Sequence, residues 1–152
     1  MARVERRVVI TGLGLVTPIG VGVDAVWKAA LAGKSGVANI TRFDASALPS
    51  HIAGEVKNFD PALYMDRKEA RRNDLFIQFA LAGAQLALQD AGLPIDKPLG
   101  DRTGVIVGSG MGGLTTLEET HLTAVNKGFK RVSPFFIPSI IVNLASGQIS
   151  IK

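Results

Sequence analysis

Gly108–Gly113 reads GSGMGG, the GxGxxG spacing that lets a backbone wrap a pyrophosphate, and it lies between an apolar run and a helical pattern. The rest of a dinucleotide site is missing. An acidic residue should close the next strand roughly 20 residues on, whereas that region reads KGFKRVSPFF, with Glu118 and Glu119 on the helix itself. No Gly-Lys-Ser/Thr follows, which excludes a P-loop. The glycines are therefore read as permitting close backbone approach, with Met111 projecting as the one bulky side chain. Gly12-Leu13-Gly14 poses the same question more weakly. Position 17 is Thr and no suitable acid follows, so it reads as a tight strand exit.

His51 and His121 are the two histidines, without a cysteine partner, HExxH spacing or a carboxylate relay, and both read as ordinary residues. No serine sits in a GxSxG elbow. The residues by themselves compose no complete catalytic constellation. Charge is more informative. Arg67, Lys68, Arg71 and Arg72 form one basic group and Lys127, Lys130 and Arg131 a second. A charge run is most often a solvated face; the functional alternative is a dock for an acidic partner. Residues 68, 71 and 72 stand at i, i+3 and i+4, so a helical turn would place them on one side.

The elements that must position these groups follow from apolar periodicity. Arg7–Thr11 is a β-branched run closed by glycines, hence a buried strand. Gly12, Gly14, Pro18 and Gly20 make a turn or loop. Asp24 then opens a helix with Val23, Val26, Trp27, Ala30 and Leu31 on one side, ended by Gly33. Residues 34–62 are loop-rich, with an edge strand at His51–Val56. The spacing predicts the strongest helix over Asn73–Asp90, capped by Asn73, stopped by Gly92 and Pro94, and apolar around most of its circumference. Thr103–Val107 reads as a second buried strand, followed by the GSGMGG loop and a helix from Leu114 to about Val125. The order β-α-α-β-α implies an α/β layered fold with a mostly parallel sheet, for which two strands do not suffice.

Composition fits a folded domain: 47% hydrophobic and 20% charged residues in 152. Net charge is +4, too mild to imply nucleic acid, and one Trp and one Tyr offer little for base stacking. There is no cysteine, so no disulfide framework, thiolate metal site or cysteine nucleophile. Arg3, Arg6 and Arg7 before Val8–Val16 imitate a signal peptide, but Gly12, Gly14 and Pro18 break the run and no cleavage site follows. No stretch reaches the ~20 apolar residues of a membrane span. The chain is read as cytoplasmic. At the other end, the apolar run Ile137–Leu144 leads to Lys152 with no terminating cap, which is expected of a chain cut inside a domain.

Four segments in colinear order resemble the β-ketoacyl-[acyl carrier protein] synthases, particularly the synthase II type. They are RRVVITGLGLVTPIG at 6–20, FDxSxxxxHIAGEVKNFDP at 43–61, MDRKEARRNDLFIQFALAGAQLALQDAGL at 65–93, and GVIVGSGMGGL with KRVSPFFIPSIIVNLASGQIS beyond. The resemblance implies a thiolase-like layered α-β-α-β-α fold, of which residues 1–152 would be the first part of the N-terminal half. It implies decarboxylative condensation of malonyl-carrier protein with an acyl-enzyme thioester, elongating the acyl chain by two carbons. The nucleophilic Cys and two His of the family would lie beyond Lys152, so this chain alone is expected to be inactive.

By the same resemblance, Met111 lines the end of the acyl pocket and Phe136 reaches that pocket across the dimer interface, while Lys68, Arg71, Arg72, Lys130 and Arg131 meet an acidic acyl carrier protein. No metal or other cofactor is implied, nor nucleic acid or membrane as a partner, and the complete protein is expected to be a homodimer. A polyketide ketosynthase, its partner subunit, or a non-catalytic carrier-binding module would share these features.

Overall fold

The computed structural model describes residues 7–94, 97 and 99–152; Arg3 and Arg6, invoked above, lie outside them. Its centre is a helix, α3 (Leu75–Asp90), whose Ile77, Leu81 and Ala82 are buried. Met65, Ile77, Leu81 and Ala145 form the core cluster, flanked by Tyr64, Phe76, Val107 and Ile149. Ala145 belongs to α6 (Leu144–Ile151), the main helical neighbour of α3. Phe79 meets the ring of Phe59 edge-on at 4.9 Å, and Phe59 stacks on Tyr64 at 5.7 Å, which seals one flank of α3 with aromatic area.

The helices begin and end where local chemistry dictates. Helix α1 (Val23–Leu31) carries Asp24 in its first turn and is closed by Gly33 at φ 64°, as its sequence predicts. Helix α2 (Arg67–Arg72) is capped by Asp66, whose carboxylate accepts from the amides of Lys68 and Glu69. Between α2 and α3 the chain turns through Asn73 in an extended conformation, so the cap of α3 is Asp74 rather than Asn73. Asp74 accepts from the Phe76 amide at 3.3 Å. Helix α4 (Leu114–Lys127) runs two residues past the expected end, to Gly128 at φ 86°. The apolar run Ile137–Leu144 and the residues after it fall in two helices, α5 (Phe136–Ile140) and α6, separated by residues 141–143.

Strands depart further from expectation. Arg7–Thr11 and Thr103–Val107 are not in ladders, and Val8 and Ile106 are 94% and 98% exposed. The physical reason is that a strand is completed by neighbours for its N–H and C=O groups, and no described residue supplies them. The chain just beyond the first segment nevertheless lies on α3: the Leu13 amide donates to Asp90 Oδ2 at 2.8 Å. Pairing occurs instead in two small antiparallel ribbons. One joins β1 (Val16–Thr17) to β2 (Gly20–Val21) around Pro18. The other pairs β3 (Val37–Asn39) with β4 (Ile52–Gly54), the latter inside the expected edge strand. Glu55 fixes that ribbon by accepting from the Thr41 hydroxyl at 2.7 Å and from the Thr41 and Arg42 amides.

Candidate functional site

Helix α2 is short and carries five charged side chains in six residues, four of them basic. Lys68, Arg71 and Arg72 are exposed, as are Lys130 and Arg131 on a 3-10 turn at Phe129–Arg131. The ion pair found among the described residues joins Lys152 to Glu69 at 3.0 Å, so none of these five cations is neutralised by a described carboxylate. The Asp66 cap that starts α2 is held as a carboxylate, because the amides of Glu69 and Lys68 donate to it and lower its pKa. A cationic helical turn of this kind raises the encounter rate with an acidic surface.

Two contacts connect this basic corner to the apolar segments that the sequence singled out. Asp74, just past α2, uses its second oxygen to accept from the Thr116 hydroxyl at 2.6 Å and the Thr116 amide at 3.1 Å. That ties the α2–α3 corner to the helix following GSGMGG. Arg72 places its guanidinium carbon 4.2 Å from the centre of the Phe135 ring, next to Phe136 at the start of α5. Gln78 reinforces the corner by donating to the carbonyls of Ala70 and Asn73, both at 2.9 Å. Sequence reasoning missed Asp74 and Phe135. The Asn-Asp pair before an apolar run carried a capping signal for both residues, whereas nothing local marks the Arg72–Phe135 stack.

The GSGMGG loop behaves partly as expected. Gly112, at φ 69°, and Gly113 lie against the backbone of α5, and the Gly113 amide donates to the Ile140 carbonyl at 3.0 Å. A side chain at Gly113 would meet Ile140 Cα at 2.9 Å. Met111 projects outward, 70% exposed. It borders an apolar concavity of about 310 Å³ with Gly113, Leu114, Leu117, Ile140, Ile141 and Val142. Phe136 is not part of that lining; it sits at the opposite end of α5 from Ile140. His51 donates from Nε2 to the Leu48 carbonyl at 2.8 Å, and His121 is exposed on α4, so neither joins the site. No group of three or more metal-ligating side chains exists among the described residues.

Comparison with known proteins shows the family. Residues 5–152 match the family model described as beta-ketoacyl synthase, N-terminal domain. The 3-oxoacyl-[acyl-carrier-protein] synthase 2 of Coxiella burnetii is 52% identical over 148 residues, covering 97% of this chain and 36% of that protein.

The chain belongs to the β-ketoacyl synthase family.

Its fold agrees. The ishigamide ketosynthase/chain length factor superposes with a TM-score of 0.82 at 31% identity, over 94% of this chain and 36% of that one. A type II polyketide ketosynthase bound to a hexaketide and in complex with its acyl-carrier protein superposes at 0.77 with 24% identity, over 97% of this chain and 38% of that one. The layered α/β, thiolase-like architecture of condensing enzymes is therefore that of this β-ketoacyl synthase chain, although its two longest β-branched runs lack ladders among the described residues. The chain spans about 36% of the length of the curated relatives it matches. No helix among the described residues is long and apolar enough to cross a membrane.

Proposed function

We propose that the protein to which this chain belongs is a 3-oxoacyl-[acyl-carrier-protein] synthase of fatty acid synthesis, cytoplasmic and homodimeric, with residues 1–152 as the first part of its condensing domain. An acyl group passes from a carrier-protein thioester to a cysteine thiolate, releasing the carrier thiol. Malonyl-carrier protein then loses carbon dioxide, and the carbanion left behind attacks the acyl-enzyme carbonyl. The carbon–carbon bond forms as the cysteine thiolate departs, giving a 3-oxoacyl chain two carbons longer on the carrier. This chain has no cysteine, so its part is recognition: the reacting cysteine and histidines belong to the portion of the relatives that it does not span.

The observation that carries the proposal is a cationic corner, without a carboxylate partner among the described residues, fastened to apolar walls. Lys68, Arg71 and Arg72, with Lys130 and Arg131, would steer and orient the acidic carrier protein. Met111 would line the acyl pocket of its own subunit and Phe136 would reach the pocket across the dimer interface, where each buried methylene contributes about 0.8 kcal/mol. The 52% identity to the 3-oxoacyl-[acyl-carrier-protein] synthase 2 of Coxiella burnetii, against 31% to the ketosynthase/chain length factor, supports the fatty acid over the polyketide reading.

The test is condensation by the full-length protein with acyl- and malonyl-carrier protein, followed by mass spectrometry of the product. One extension by two carbons is expected. Replacing Lys68, Arg71 and Arg72 together by Ala should lower kcat/KM for carrier substrates by about tenfold at low ionic strength, with the gap closing as salt rises. Absence of any 3-oxoacyl product would overturn the proposal; repeated extension on one carrier would point to the polyketide class.

A further inference from the structure

We propose that Arg72 is a positioning residue as well as a docking charge: stacked on Phe135, it clamps the turn that presents Phe136 to the acyl chain. The inference rests on the carrier-docking and acyl-pocket reading above and deepens it, because it assigns one residue to both surfaces.

Geometry separates Arg72 from its neighbours. Its guanidinium lies over the Phe135 ring at 4.2 Å, whereas neither Lys68 nor Arg71 makes such a contact among the described residues. Phe135 is 41% exposed and Arg72 is itself exposed, so the guanidinium over the ring still has N–H groups open to an incoming carboxylate or phosphate. The turn beneath is stiff. The Phe135 amide donates to Ser133 Oγ at 3.1 Å and the Phe136 amide to the Ser133 carbonyl at 3.1 Å. Ser139, which is buried, donates from Oγ to the Phe136 carbonyl at 2.7 Å and from its amide to the Phe135 carbonyl at 3.0 Å. A ring displaced at Phe135 therefore moves Phe136 with it. Arg72 is itself held at the end of α2, two residues before Asp74 and its bonds to Thr116. The carrier's acidic groups and the acyl wall thus act on the same side chain.

Four variants of the full-length protein test this: Arg72→Lys, which keeps the charge but loses the guanidinium over the ring, Phe135→Leu, the double variant, and Arg71→Gln. The readouts are KM for carrier substrates and the ratio of kcat/KM between long and short acyl groups. Arg72→Lys and Phe135→Leu should each flatten chain-length preference by about threefold, and the double variant should go no further than either. Arg71→Gln should raise the carrier KM by one factor for every chain length. A wild-type ratio in Arg72→Lys, or effects that multiply in the double variant, would overturn the clamp. An unchanged carrier KM in Arg71→Gln would instead remove the docking reading. The Arg72 Nε proton gives a readout independent of turnover: the ring should shift it upfield in the wild type and Phe135→Leu should restore it. An ordinary shift in the wild type also overturns the proposal.

Discussion

The glycine loops at residues 12–14 and 108–113 share a composition that invites a phosphate-cradle reading, and they differ in what faces them. At Gly12 and Gly14 the neighbour is α3. A Cβ at Gly14 would collide with the Gly83 carbonyl and lie 2.7 Å from the Ala87 nitrogen, and one at Gly12 would lie 2.7 Å from the Ala91 nitrogen. In the later loop the last two glycines are confined, against α5, whereas Gly108 and Gly110 face open space among the described residues. Main chain already occupies the position a phosphate would need in the first loop and in half of the second. Glycine spacing in this β-ketoacyl synthase chain thus records the approach of loop to helix, and the two loops set the two helices against which the site is built.

Gly14→Ala is the strongest way to break that comparison. It forces a methyl into helix backbone that cannot yield, and should lower stability by about 3 kcal/mol, read as a fall in the midpoint of thermal or urea unfolding. Its partner sharpens the point. A Cβ at Gly83 would find only the Gly14 carbonyl, at 3.9 Å, so Gly83→Ala removes a mid-helix glycine without a clash and should stabilise α3 by about 0.5–1 kcal/mol. A loss in both variants would mean that the contact is general crowding rather than one-sided approach.

Gly112→Ala comes next, at about 2 kcal/mol, because it combines a positive φ with collision against the Ile140 carbonyl. Asp74→Ala should cost about 1.5 kcal/mol by removing a cap and leaving Thr116 without its acceptor, with Asp74→Asn recovering most of it. Both are checked by the same unfolding midpoints.

How much of this was legible beforehand depends on the range of the forces involved. Helices α1, α3 and α4 were readable to within two residues because caps and apolar periodicity are local. Met111 as the projecting side chain, and close approach as the role of Gly112 and Gly113, were legible from side-chain size alone. The β3–β4 ribbon was only half seen. Val37–Asn39 lacks a strong strand signal of its own, and its register depends on Glu55 collecting amides across the intervening loop. Arg7–Thr11 and Thr103–Val107 show the converse error: β-branched composition is a preference that becomes a strand only beside another. The Arg72–Phe135 stack joins residues on different elements, where no periodicity reaches.

Gly110→Ala is the smallest expected effect and discriminates well for that reason. Gly110 has no positive φ and no heavy atom within 4 Å of its virtual Cβ. A methyl there should change the unfolding midpoint by no more than about 0.5 kcal/mol equivalent. A loss comparable to that of Gly112→Ala would mean that the outer half of GSGMGG is also pressed against main chain in the folded protein. The two glycine loops would then be equivalent, and the open edge that leaves Met111 free beside its apolar concavity would no longer follow from the glycines around it.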